Sequence, residues 1–262
     1  MNISVARISI FPIKSLDGVA VDRATVLTSG ALLGDREFAL VDGAGKFVNG
    51  KRTDAIHRIR STFELDRRLV TLNLEGKSNY QIFSLDRDLL QLEDWFSNYF
   101  GFTIKLIQNK IIGFPDDTES PAPTIIGTST LATVTSWFSH LNIEETRRRF
   151  RTNIELDTDT AFWEDRLFST KDKGKKFSIG NVEFEGINPC QRCIVPTRHT
   201  IDGMADSSFQ KIFTNKRRET LPDWVEKSRF NHFYRLAVNT RLASIGDGTI
   251  GVGDAIELRE EE

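Results

Sequence analysis

Through the first eighty or so residues the apolar positions come in short β-branched or aromatic runs: Ile3 to Phe11, Val19 to Leu27, Arg36 to Val41, His57 to Leu65 and Leu69 to Leu74. Several alternate with polar residues, the period of a strand with one buried face. Asp17-Gly18, Ser29-Gly30, Gly34-Asp35, Asp42-Gly43 and Glu75-Gly76 separate them with residues suited to tight turns. Regular strand and turn spacing with no helix between predicts a closed or nearly closed antiparallel barrel, because closure removes exposed edges. From Leu85 to Phe100 the period changes: Leu85, Leu89, Leu92, Phe96 and Tyr99 fall three or four apart, the pattern of an amphipathic helix that Gly101 ends. A short strand from Phe102 to Ile107 follows.

Gly113-Phe114-Pro115-Asp116-Asp117 and Pro121-Ala122-Pro123 form the most loop-like stretch of the chain. A domain boundary is expected near residue 112, giving an N-terminal unit of residues 1–112 and a second of residues 113–262. Thr128 to Thr130 offer hydroxyl N-caps for a second helix, whose buried stripe is Leu131, Val134, Trp137, Phe138 and Leu141. Beyond it the chain returns to strands: Thr152 to Leu156, a hairpin around Gly180-Asn181, Phe233 to Val238, and Ile250 to Leu258. Ala205 to Arg218 reads either as a helix or as an ordered loop, and Glu260 to Glu262 as a solvated end. The expected class is mainly β, of the α+β kind, with a few peripheral helices and no internal repeat.

At 262 residues, one large core or two packed ones can form. A hydrophobic content of 39% with 27% charged residues excludes a disordered chain. Thirty-five basic residues against 37 acidic leave a charge of −2, which gives no overall pull toward nucleic acid or an anionic membrane but leaves room for a local basic patch. Two cysteines do not make a stapled secreted scaffold. The opening residues lack the pattern of a signal peptide, and no run approaches the roughly 18 apolar residues of a membrane span. A soluble cytoplasmic protein is the expectation.

Both cysteines sit in one segment, Asn188-Pro189-Cys190-Gln191-Arg192-Cys193-Ile194-Val195-Pro196-Thr197-Arg198. A C-x-x-C of this kind can be a thiol–disulfide pair, half of a zinc site, one functional thiolate beside a bystander, or two buried structural thiols. Zinc would need His57, His140, His199 or His232 to converge from scattered positions. A thioredoxin-like motif would need a βαβ context, whereas this one follows a hairpin. Arg192 and Arg198 favour a thiolate nearby, the form that ligates soft metals. A second constellation is basic: Pro12-Ile13-Lys14-Ser15 closes the first strand, Gly34-Asp35-Arg36 opens the third, and Arg147-Arg148-Arg149-Phe150-Arg151-Thr152-Asn153 leads into another. Cations at strand ends beside glycine turns are placed to converge on one anion. A five-residue basic run without aromatic platforms is a poor footprint for nucleic acid.

In this order, Pro-Ile-Lys-Ser, Gly-Asp-Arg-x-Phe-Ala-Leu-Val, Arg-Phe-Arg-x-Asn-Ile, Pro-Cys-x-Arg-Cys-Ile-x-Pro-Thr and Gly-x-Gly-Asp resemble the molybdenum cofactor sulfurase C-terminal (MOSC) superfamily. The resemblance covers nearly the whole chain. It points to members with an N-terminal MOSC-type β-barrel packed on a MOSC barrel, such as the mitochondrial amidoxime-reducing component and bacterial reductases of N-hydroxylated compounds. It implies a pyranopterin molybdenum cofactor in a cleft between the two units, with Cys193 as the metal ligand and catalytic residue and Cys190 as the bystander. Lys14, Ser15, Arg36 and Arg151 would bind the pterin and its phosphate. Asn153, Thr128 and Ser129 would add hydrogen bonds, and Arg192 would lie beside the ligand. Asn231 stands where members often have glycine, and His199-Thr200 where many have an acidic and a small residue; His232 is a candidate proton donor.

The implied activity is reduction of N-hydroxylated small molecules by oxygen-atom transfer. No nucleotide, flavin or iron–sulfur pattern occurs, so electrons are expected from a separate flavodoxin-like, ferredoxin-like or cytochrome b5-like protein. The rival is a non-catalytic cofactor carrier or sulfur-delivery protein using Cys193, and a thiol–disulfide enzyme is third.

Overall fold

The computed structural model describes residues 3–259 apart from 172, 245 and 247; Glu260 to Glu262, expected as a solvated end, lie outside the described residues. The N-terminal half runs β1 (Val5–Ile10), β2 (Val19–Val21), β3 (Arg23–Val26), β4 (Phe38–Asp42), β5 (Ile59–Glu64), β6 (Leu69–Leu74), β7 (Tyr80–Ser84), α1 (Leu89–Phe100) and β8 (Ile104–Gln108). The C-terminal half runs β9 (Ile125–Gly127), α2 (Thr128–Ser136), α3 (Ile143–Phe150), β10 (Ile154–Leu156), β11 (Lys175–Ile179), β12 (Val182–Gln191), α4 (Phe209–Glu219), β13 (Arg235–Leu242), β14 (Gly248–Gly251) and β15 (Ile256–Leu258). The protein is mainly β with helices at the periphery.

Strand pairing follows the order β15-β11-β12-β13-β9-β10-β1-β2. The sheet closes on itself. Ser4 bridges Ala255, Val5 N–H donates to Asp254 O at 2.9 Å, and Ile256 N–H donates to Ile3 O at 3.0 Å, so the start of β1 meets the start of β15. One edge of β1 thus serves β10; the other is shared between β15 at its beginning and β2 at its end. Closure satisfies edge groups that would otherwise be left unpaired. The barrel is filled by Val5, Ile8, Ile125, Ile154, Phe177, Phe184 and Val238, all essentially buried.

Residues after Gly34 build a second core. β4 pairs β8, β5-β6-β7 form a meander, and α1 lays Leu92 and Phe96 against Phe38, Ile59, Val70 and Leu72. Chain order and space therefore differ: β1, β2 and β3 precede residue 112 but pack with strands that follow residue 124. The helix expected from Leu85 starts at Leu89, because Ser84 to Asp88 form a turn in which Ser84 N–H donates to Asp88 Oδ2 at 2.7 Å.

The basic run from Arg147 to Asn153 leads into β10 at Ile154 as expected, but its first half belongs to a helix that was not expected. That half is the last turn of α3, whose Asn142 N-cap accepts from Glu145 N–H at 2.9 Å. Glu144 and Glu145 occupy the first turn and the arginines the last, complementing the helix dipole. Ala205 to Arg218 resolves largely into α4.

Between barrel and helices lies a buried polar cluster. Arg217 ion-pairs with Asp165, and its guanidinium sits 3.9 Å from the Phe162 ring centroid. Neighbouring Glu164 accepts from Thr130 Oγ1 at 2.8 Å and Gly127 N–H at 3.2 Å. Burial, and then the charge of Asp165, push its carboxyl up to about 8. A group protonated in the native state to that pH, but ionised above its ordinary 4.5 when unfolded, makes the fold less stable as pH rises between those values. Denaturant unfolding across about pH 5 to 8 is expected to show this fall in the wild type, with a flatter profile in Glu164→Gln. Parallel profiles would contradict a neutral Glu164.

Candidate active site

A cleft of about 820 Å³ opens between the barrel and the second core, within the size range of ligand pockets, roughly 300–1,000 Å³. Lys14, Ser15, Arg36, Arg151, Asn153, Arg192 and Cys193, expected from the sequence as site residues, all line it, and so does Cys190. Thr128 and Ser129 do not. As the first residues of α2 they turn to the segment after β10, where Thr128 Oγ1 receives Thr158 N–H at 3.1 Å and Ser129 Oγ lies 2.7 Å from Thr158 Oγ1.

Three lining residues hold left-handed backbone without being glycine: Ser15 (φ 74°), Arg36 (φ 50°) and Arg151 (φ 53°). Such residues cost about 1–3 kcal/mol each and persist where surrounding structure fixes them. Each has an identifiable anchor. Arg36 is held by Phe11, whose N–H bonds Asp35 Oδ1 at 2.8 Å and whose carbonyl takes Arg36 N–H at 2.7 Å. Arg151 terminates α3, donating its N–H to Arg147 O at 2.8 Å. Ser15 Oγ accepts from Gly50 N–H at 3.3 Å.

The result is a convergence of cations. The guanidinium carbons of Arg36 and Arg151 lie 5.4 and 4.4 Å from the centroid of one ring, that of Phe11. Arg36 ion-pairs with Asp35 and donates to Asn153 Oδ1 at 3.3 Å. Among the described residues the Arg151 guanidinium has no hydrogen-bond acceptor or carboxylate partner. Burial, and then the charge of Arg36, bring it down to about 10. Lys14 Nζ donates to Phe114 O at 2.8 Å and to Asp116 Oδ1 at 2.7 Å, and Lys51 reaches the same oxygen at 3.2 Å. The loop carrying Asp116 is seated by Gly113 (φ 63°), where an added Cβ would lie 2.5 Å from Asp35 O.

The arginines around residue 149 divide three ways. Arg147 grips Glu155 through Nε and Nη2, Arg149 is buried on Glu145 and Pro196 O, and Arg148 faces the cleft. Beyond them Cys190 and Cys193 are free, half-buried thiols. Arg192 Nη1 points at Cys190 Sγ (3.4 Å), while Nη2 donates to Phe150 O and ties the cysteine segment to the end of α3. Below it the buried hydroxyl of Tyr234 has no partner.

His57, noted in the sequence only among scattered histidines, also faces the cleft. Gly50 stands against its ring, so that a Cβ there would come 3.1 Å from Nε2, a buried atom with no partner. Asn188 of the cysteine segment and Asp116 of the loop after Gly113 also line the cleft, as do Lys51, Arg229, Arg235 and Asn239, which carried no motif by which to find them. His232 is not among the lining residues; its Nδ1 accepts Tyr234 N–H at 3.3 Å.

Eleven lysine and arginine side chains line the cleft against three aspartates, in a chain whose net charge is −2. That excess, the unpartnered Arg151 and the two soft sulfur donors fit one elongated anionic group that carries a metal at one end. No cluster of three His, Cys, Asp or Glu among the described residues could hold a metal ion, so a metal bound through a cysteine here would need further ligands from a non-protein group. No helix among them is long and apolar enough to cross a membrane.

Fold and cleft together define a mainly-β protein whose barrel and second core share a cationic, thiol-bearing pocket. Family models match as the MOSC N-terminal beta barrel domain over residues 2–95 and the MOSC domain over residues 125–257, and the chain belongs to the MOSC superfamily. No curated protein matches it. MOSC domains are linked to binding of the molybdenum cofactor and to oxidoreductase or sulfurase function.

The cation cluster has a direct readout in His57. Burial first, and then the charges of Arg151 and Arg198, bring its imidazole down to about 4. Arg151→Met removes one of these charges, so the NMR titration midpoint of His57 is expected to rise toward the ordinary 6.5. An unchanged midpoint would separate His57 from the cluster.

Proposed function

We propose that the protein is a molybdenum-cofactor-dependent oxidoreductase that reduces N-hydroxylated small molecules, in the cytoplasm, with electrons from a separate flavodoxin-like, ferredoxin-like or cytochrome b5-like protein. The observation that carries this reading is the pairing, in one cleft, of the Cys193 thiol with a cluster of cations in which Arg151, among the described residues, has no carboxylate partner. Cys193 is the proposed metal ligand. Lys14, Arg36 and Arg151 are the proposed phosphate binders, with Ser15 and Asn153 at the pterin. When bound, the group supplies two-electron oxygen-atom chemistry suited to soft sulfur ligands.

The chain's own contribution is placement and charge. Arg36 and Arg151 are held by strained backbone over the Phe11 ring and need little reorganisation to meet an anion. Lys14 must leave Asp116 to join them, or Asp116 must move with its loop. Arg192 binds Phe150 O and faces Cys190, which holds the turn from Cys190 to Cys193 against the end of α3 and keeps a positive charge in the cysteine segment. Conversion of an N-hydroxyl to N–H consumes two electrons and two protons and releases water; both electrons come from the proposed partner.

Analysis of metal and pterin in protein purified from a cofactor-producing host tests this. Stoichiometric molybdenum that is lost in Cys193→Ser but kept in Cys190→Ser is expected, together with turnover of an N-hydroxylated amidine by a chemically reduced sample. Metal-free protein bearing a persulfide on Cys193 would overturn the reading in favour of sulfur delivery.

A further inference from the structure

Past the cysteines the cleft wall carries two more arginines that the cofactor reading leaves without a role. Strand β12 has register shifts on either side of Ile187 and of Cys190, the mark of two bulges against β13. A bulge takes a residue out of the ladder and re-aims the groups beside it. The Ile187 carbonyl receives Arg229 Nη2 at 2.7 Å, and the Pro189 carbonyl receives Arg235 Nη1 at 2.8 Å. Arg235 Nη2 donates to Asn231 Oδ1 at 2.8 Å, and its Nε is buried with no partner. Both side chains line the cleft.

Every one of these acceptors is neutral. Among the described residues no carboxylate pairs with Arg192, Arg229 or Arg235, whereas Arg241 on the same strand β13 has Glu185. Two like charges are therefore fixed close together on a half-buried wall with nothing to offset them. Burial, and then the charge of Arg229, make Arg235 easier to deprotonate than a free guanidinium.

This pair is not part of the phosphate cluster. Arg36 and Arg151 lie over the Phe11 ring just past β1, whereas Arg235 stands opposite Gln191 in the register of β12 with β13 and donates to Pro189 O, next to Cys190. That puts the pair at the cysteine end of the cleft.

We propose that Arg229 and Arg235 form a second anion subsite, which receives a carboxylate of the molecule that reacts at Cys193. The substrate class is thereby narrowed to N-hydroxylated compounds that carry a negative group. The narrowing rests on the reductase reading; the subsite itself does not. Backbone carbonyls and Asn231 hold the guanidinium planes, and their remaining N–H groups can take an oxyanion in the bidentate geometry that arginine favours.

Two measurements test it. Titration calorimetry of the purified protein with benzoate and with benzamide, equal in shape and different in charge, is expected to show benzoate bound about tenfold tighter or more, a preference that added salt weakens. Arg235→Gln and, in case that variant fails to fold, Arg229→Gln are each expected to erase the difference. Equal binding of the two probes, or a preference that survives both substitutions, would overturn the subsite. With loaded enzyme, a carboxylated aryl amidoxime is expected to show a KM about tenfold below that of its carboxamide counterpart, and the variants to bring the ratio to one. If benzoate binds in this arginine-dependent way but neither amidoxime is reduced, the subsite stands and the reductase reading fails. If both amidoximes are reduced with equal KM, the narrowing fails and the reductase reading stands.

Discussion

Arg36 and Arg151 face the same phenyl ring, and the repulsion between them is the constraint around which the cleft is organised. Neither residue could be brought there by ordinary strand or helix geometry. Each sits in left-handed backbone at the end of an element, Arg36 just before β4 and Arg151 just after α3. Phe11 is delivered between them by β1, which is itself part of the barrel closure. The chain runs on from β1 through Pro12 and Ile13 to Lys14 and Ser15, so it carries two lining groups of the site and joins the two cores. A fold that spends backbone strain to hold like charges together is arranged for an anion that arrives from outside.

The second organising feature is the irregularity of β12. An uninterrupted ladder would have alternated its side chains between barrel interior and exterior and kept its carbonyls in the sheet. The bulges at Ile187 and Cys190 turn the strand's end toward the cleft, placing the thiols in one direction and carbonyls for Arg229 and Arg235 in another. Arg192 then ties the segment to the end of α3. Cysteine segment and arginine cluster, remote in sequence, are thus held together by Arg192 on Phe150 O and by Arg149 on Pro196 O.

Much of this was legible in the chain. Period-two runs located β1, β5 and β6 within a residue or two, and the order of lysine, arginine and cysteine motifs led to seven residues that do share one cleft. What escaped has physical causes. The basic run around residue 149 does lead into a strand, but the helix that it closes went unread, although Asn142 followed by Glu144 and Glu145 is an N-cap signal. Thr128 and Ser129 have the hydroxyls an anion site could use, but as the first turn of α2 they bond to Thr158. His57, Arg229 and Arg235 belong to no motif; three-dimensional packing brings them to the wall, and only the unpaired state of their atoms marks them. The boundary expected near residue 112 describes chain order; in space β1 to β3 pair with strands of the later half.

The central claim is that one cleft joins an arginine-bound phosphate end to a metal held by the second cysteine and not the first. The most direct test is X-ray absorption at the molybdenum edge of the loaded protein. The account predicts one fewer sulfur neighbour to the metal in Cys193→Ser than in the wild type, with the wild-type sulfur count retained in Cys190→Ser. The same sulfur count in all three proteins, or a loss on changing Cys190 instead, would contradict it.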